Sequence, residues 1–174
     1  MQARICSYPA RTPLDKIDGM SGEYCTLSAT SGDNEHAIIQ RLLKLKRIAV
    51  VGLSDDPSRP SHYVSRYMQS HGKEIIPVNP SHETVFDVKC YPSLDEVPDQ
   101  IDLVNVFRRP NAVPDVVRPA IRKGVKGIWL QAGITSEEGR RLACEAGIDY
   151  VEDRCIMVEH RAQLYLPTQS SESH

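Results

Sequence analysis

The sequence predicts a single doubly wound α/β domain, on three observations. Short apolar, β-branched runs recur between helix-patterned stretches from Arg47 to Val151. The clearest run, Ile48-Ala49-Val50-Val51, is continuously apolar, as suits a strand covered on both faces. Strands that alternate with helices through right-handed crossovers make a mostly parallel, Rossmann-like sheet with helices on both faces. No internal repeat and no second domain interrupts the pattern.

Residues 1–32 are rich in Ser, Gly, Thr and Pro, lack periodicity and read as a flexible N-terminal tail. Arg4, Arg11 and Lys16 hint at a targeting peptide, against which Asp15 and Asp18 weigh. The folded domain is expected over 33–166 and a second flexible tail over 167–174. Ser31 or Asp33 is placed to cap a first helix, whose Ile38, Ile39, Leu42, Leu43 and Leu45 form one apolar stripe.

The strand at 47–51 breaks at Gly52 and passes through a polar turn. Ser58 is expected to cap the next helix, with Pro60 at its first position, where no N–H is missed. Tyr63, Val64, Tyr67 and Met68 recur at helical spacing as its core side, and His71-Gly72 ends it. Residues 74–80 form the second strand, and Pro77 suits a sheet edge. Val85, Phe86 and Val88 suggest a short strand or turn within a loop-rich stretch. A strand at 101–107 precedes a helix with Val113, Val116, Val117, Ala120 and Ile121 inside. Another strand follows at 126–130. Thr135 and Ser136 then cap a helix with an acidic first turn that Gly147 terminates, and 148–151 is a short last strand.

The chain has 174 residues, enough for one sizeable core, and its net charge of −2 argues against a broad basic face for nucleic acid or an anionic membrane. No apolar run reaches the length of a membrane span. Five cysteines show no Cys-x-x-Cys pairing and follow no apolar signal segment, so a reducing cytoplasm is the expected location. His62 and His82 give no metal-binding spacing. A homodimer or an unidentified protein partner is left open.

In open parallel sheets, ligands collect at the carboxyl ends of the strands. Here those ends carry Gly52-Leu53-Ser54, Asn79-Pro80, Phe107-Arg108-Arg109, Gln131-Ala132-Gly133 and Asp153-Arg154-Cys155. Gly52 lets the backbone approach a pyrophosphate, and the following helix N-terminus favours negative charge. Arg59 sits at the unfavourable end of that helix dipole, so either an anion or Asp55 or Asp56 answers it. A dinucleotide fingerprint wants later glycines and an acid at the second strand end; Ser54, Pro57 and Asn79 stand there instead, which disfavours NAD, and another nucleotide such as NAD(P) is kept as an alternative ligand. The Gly-Lys-Ser/Thr of a P-loop is absent too. Phe107 suits an adenine, while Arg108 and Arg109 suit phosphate oxygens or are a solvated pair.

The motifs Val-Val-Gly-Leu-Ser (50–54), Arg-Pro-Ser (59–61), Pro-Val-Asn-Pro (77–80), Val-Phe-Arg-Arg (106–109), Trp-Leu-Gln-Ala-Gly (129–133) and Asp-Arg-Cys-Ile-Met-Val-Glu-His (153–160) resemble the small CoA-binding domain proteins of the YccU-like group. These are similar in fold to the CoA-binding domain of the succinyl-CoA synthetase α subunit. The resemblance covers about 37–165 and implies a Rossmann-type fold that binds coenzyme A or an acyl-CoA. By position it implies that Gly52, Leu53, Ser54, Arg59 and Ser61 cradle phosphate, that Val78, Asn79, Pro80, Phe107 and Arg108 flank the adenosine, and that Leu130, Gln131 and Gly133 line the pantetheine path. Arg109 is a further phosphate candidate. The synthetases keep their phosphorylated histidine in another domain, so a binding or regulatory role without ligase chemistry is expected.

Cys155 is the candidate reactive thiol, with Arg154 placed to favour its thiolate and permit a mixed disulfide with the CoA thiol. The plainer reading is a small buried hydrophobe. An acyl-CoA or redox enzyme using Cys155, with His160 as a base, is the alternative.

Overall fold

The computed structural model describes residues 35–165. Both expected tails, and the capping candidates Ser31 and Asp33, lie outside the described residues. In chain order the elements are α1 (Glu35–Leu43), β1 (Arg47–Val51), α2 (Pro60–Ser70), β2 (Glu74–Val78), β3 (Thr84–Val85), β4 (Val88–Lys89), β5 (Leu103–Val106), α3 (Val113–Arg122), β6 (Gly127–Leu130), α4 (Glu137–Glu145), β7 (Asp149–Val151) and α5 (Ile156–Tyr165). A turn of 3-10 helix, Pro110–Ala112, leads into α3.

Five strands form one parallel sheet in the order β2-β1-β5-β6-β7, as the alternating pattern predicts. Val51 lies level with Val78 on one side and Val106 on the other, and Val106 with Leu130. The carboxyl ends of four strands therefore meet along one edge.

Successive strand residues point to opposite faces and fill two apolar layers. Ala49, Val51, Val104, Val106, Ile128 and Leu130 pack with Val113 and Val117 of α3 and Ala143 of α4. Ile48, Val50, Leu103 and Trp129 pack with Ile38 and Leu42 of α1, Val64 and Met68 of α2, and Ile156 of α5. Each fully buried aliphatic side chain contributes roughly 1.5–3 kcal/mol relative to exposure. Trp129 is fully buried, and its Nε1–H donates to the Arg154 carbonyl at 2.7 Å, which removes the cost of burying the indole N–H.

Pro77 lies on the edge strand, where its missing N–H is tolerated. The main chain at Tyr91 continues that edge, with Tyr91 N–H donating to the Pro77 carbonyl at 2.9 Å and Asn79 N–H to the Tyr91 carbonyl at 2.8 Å. The loop-rich stretch contains the hairpin β3–β4, whose central residues Phe86 and Asp87 both take positive φ, at 58° and 61°. Phe86 packs against His62 and under the Arg66 guanidinium, each centred 4.8 Å away, which docks the hairpin onto α2.

Two features depart from the sequence reading. Leu45 lies beyond the end of α1 but still packs against the core. Residues 156–165 form a helix that no apolar stripe announces: Ile156 is buried, whereas Val158, Leu164 and Tyr165 are exposed. Among the described residues no helix is long and apolar enough to cross a membrane.

Candidate ligand-binding site

The site begins where β1 ends. Gly52 has φ +88°, and its N–H donates to the Val78 carbonyl at 2.8 Å. A Cβ there would stand 2.6 Å from the Phe107 carbonyl oxygen, so only glycine lets the loops after β1 and β5 approach this closely. Several candidates shape this loop with their side chains. Leu53 is fully buried in the α1–α2 layer. The buried Ser61 hydroxyl accepts from Ser54 N–H at 3.1 Å. Asn79 donates from Nδ2 to the Leu53 carbonyl at 2.9 Å and accepts from Ser81 N–H at 3.1 Å.

Ser58 does not cap α2. Its N–H and hydroxyl both donate to Asp56, at 2.9 and 2.7 Å, and these bonds hold the Asp56 carboxyl below its usual pKa. Arg59, in extended conformation, takes the cap position without a side-chain cap bond, and Pro60 sits in the first turn as expected. The Arg59 guanidinium is 70% exposed and only 3.7 Å from Asp56, so the answering acid is Asp56 rather than Asp55.

Arg108 and Arg109 follow β5 and are exposed. Neither guanidinium has an ion-pair or hydrogen-bond partner among the described residues. Arg108 lines two clefts. The larger, about 510 Å³, is walled by Pro60, Tyr63 and Val64 of α2, by 107–110, by Gln131, Ala132 and Ile134, and by Cys155. The smaller, about 220 Å³, is walled by Val51, Val78, Pro92, Ser93 and Leu94 and by Ala112, Asp115, Val116 and Pro119. The structure thus divides the expected adenosine group: Val78 faces the smaller cleft, Phe107 the larger, and the exposed Pro80 lines neither.

Gln131 is 5% exposed; its Nε2 donates to the buried Asn105 Oδ1 at 2.8 Å, and its Oε1 accepts nothing among the described residues. Gly133 has φ +81° and spends its N–H on Asp153 Oδ1 at 2.7 Å. The Leu130 side chain lies in the α3–α4 layer, away from this cleft.

Residues 46–161 match the family model described as CoA binding domain. This chain belongs to the CoA-binding domain family. The uncharacterized protein YneT of Bacillus subtilis is 45% identical over 119 residues, covering 68% of this chain and 88% of YneT. Acetate--CoA ligase [ADP-forming] II of Archaeoglobus fulgidus is 32% identical over 126 residues, 70% of this chain but only 18% of the ligase. Among solved structures, a hypothetical protein from Pyrococcus horikoshii superposes with a TM-score of 0.72 at 35% identity, covering 84% of this chain and 99% of that one. A protein from Thermus thermophilus gives 0.70 at 37% identity, with coverages of 74% and 98%.

In this CoA-binding domain Cys155 is a half-buried free thiol on the wall of the larger cleft. Its carbonyl accepts from the N–H groups of Val158 and Glu159, so it stands at the start of α5. Arg154 turns away to Glu35 and Glu159, at 3.2 and 3.5 Å, and does not serve the thiol as expected. His160 turns its Nδ1 to the Tyr67 hydroxyl, at 3.1 Å. Burial, then His71 and Lys73, push the His160 pKa down.

Sequence reasoning assigned Tyr63 and Val64 to the core; Val64 is buried, but Tyr63 is 46% exposed on the cleft. Its position one turn after Pro60 was the available signal, since the first turn of α2 faces the strand ends. Pro92, Ser93 and Asp115 carried no signal, because only the packing of a loop against α3 brings them together.

Proposed function

We propose that this domain binds coenzyme A, free or as an acyl thioester, across the strand ends, as a binding or regulatory protein without ligase chemistry of its own. The observation that carries the reading is Arg108, an exposed guanidinium without a partner that stands where two clefts meet. Coenzyme A has matching chemistry: a base at one end, phosphates in the middle and a long amide-bearing arm that ends in a thiol.

In this reading the base lies between Val51, Val78 and Pro92, and Arg108 and Arg109 meet phosphate oxygens with charge-assisted bonds. The Gly52–Ser54 loop and Arg59 face the diphosphate, with Leu53, Ser61 and Asn79 holding the loop in shape. The arm runs over Phe107 and Gln131 in the larger cleft, whose tyrosine, proline and isoleucine walls also suit a short acyl group. The acetate–CoA ligation of the archaeal relative supports the ligand and not the reaction, since the match spans 18% of that ligase.

Calorimetric titration with coenzyme A, 3′-dephospho-coenzyme A and NAD tests it. Coenzyme A is expected to bind more tightly than the dephospho form and Arg108→Ala to weaken it, with no heat from NAD. Heat from NAD and none from coenzyme A would overturn the reading.

A further inference from the structure

The larger cleft offers more than a passive surface. Its floor includes Gln131, almost wholly buried, with an Oε1 that lacks a donor among the described residues. Its wall includes the Cys155 thiol. The segments that carry them are tied together by main-chain bonds: Asp153 N–H donates to the Ile134 carbonyl at 3.1 Å, and Arg154 N–H to the Leu130 carbonyl at 3.4 Å. Trp129 Nε1–H donates to the Arg154 carbonyl at 2.7 Å. That oxygen is open to the cleft rather than sealed in the core, so an amide N–H of a ligand is free to donate to it.

We propose that Cys155 is a covalent capture site for the thiol end of the ligand, formed by thiol–disulfide exchange. This rests on the proposed binding of coenzyme A, whose arm amide would donate to Gln131 and bring its sulfur to Cys155. The co-reactant is a CoA disulfide. The Cys155 thiolate sulfur attacks the near sulfur of that disulfide, the Cys155–S–S–CoA bond forms, and the reagent's S–S bond breaks. The far half leaves as a thiolate and takes up the proton that Cys155 gave. One thiol is consumed and one released, so no further oxidant enters. The outcome is a reversible store of coenzyme A that a reducing thiol discharges.

The test uses the full, reduced chain. Calorimetry with coenzyme A is run first; the protein is then mixed with CoA disulfide or with oxidised glutathione, quenched with acid and mapped by peptide mass. The CoA adduct is expected on Cys155, to form at least about tenfold faster than the glutathione adduct because binding positions the sulfur, and to be lost on reduction. Excess acetyl-CoA, which has no free thiol, is expected to remove that advantage, and Arg108→Ala to diminish it. Calorimetric binding with equal rates from the two disulfides, or with the adduct on another cysteine, would overturn capture and leave the binding reading standing. Absence of calorimetric binding would overturn both.

Discussion

At the edge where the strands begin, Arg47 reaches Glu74 and Asp99 at 3.2 and 3.5 Å, and Lys126 reaches Asp102 at 2.7 Å. At the edge where they end, Arg108 and Arg109 are adjacent and no acid among the described residues answers them. The first arrangement answers each cation with an acid, although the buried Arg47 Nε makes no hydrogen bond. Burial opposes the charge on Asp102, but hydrogen bonds from Lys126 and from the backbone at Arg47 and Lys46 outweigh it and hold its pKa below the usual carboxylate range. The second arrangement has no internal reason, and in the proposed reading an anionic ligand supplies one. Paired charges thus stand at one edge of the sheet and two unpaired guanidiniums at the other.

Substitutions at two glycines should separate the edges most sharply. Gly52→Ala places a Cβ against the Phe107 carbonyl at positive φ and is expected to cost about 3 kcal/mol in urea unfolding and to abolish coenzyme A binding by the folded fraction. Gly127→Ala, at the opposite end, pushes a Cβ into the Leu42 side chain and should cost about 1–3 kcal/mol while the folded protein binds normally. Equal binding losses from both would dissolve the distinction.

Charge substitutions come next. Arg108→Ala should weaken coenzyme A roughly tenfold to a hundredfold, with stability unchanged within about 0.5 kcal/mol. Asp102→Asn should do the reverse, lowering stability by roughly 1 kcal/mol with affinity unchanged. Because the folded pKa of Asp102 is depressed, its contribution is complete above the ordinary carboxylate pKa and is lost as pH falls through the folded value. The stability difference between wild type and Asp102→Asn should therefore shrink in acid. The smallest effect is expected away from both edges, where α5 meets α2. The lowered His160 pKa means that stability declines as pH falls from its ordinary 6.5 towards the folded value, and His160→Gln should flatten that slope in thermal melts.

Much of the fold was legible because strand burial and helix stripes obey simple periods. The run 48–51 announced β1, Ser136 announced the α4 cap that its hydroxyl makes with Gly139 N–H, and Pro77 announced an edge. What was hidden depended on contacts between distant segments. Ser58 looks like a helix cap in sequence but is drawn to Asp56 within the turn. Arg154 looks like a partner for Cys155 but meets Glu35, distant in sequence. The helix 156–165 has apolar residues on several sides, so no period betrays it. At the site, the strand-end motifs located the candidates, but the division between clefts and the commitment of Leu53, Ser61 and Asn79 to loop shape arise from contacts between loops that no local pattern encodes.

The most direct test follows backbone amide chemical shifts while coenzyme A is titrated into the protein. Binding at the open edge predicts shifts at Gly52, Ser54, Phe107, Arg108, Gln131 and Cys155, with Arg47, Asp102 and Lys126 unmoved. Shifts centred on the paired edge, or none at any residue near Arg108, would contradict the account.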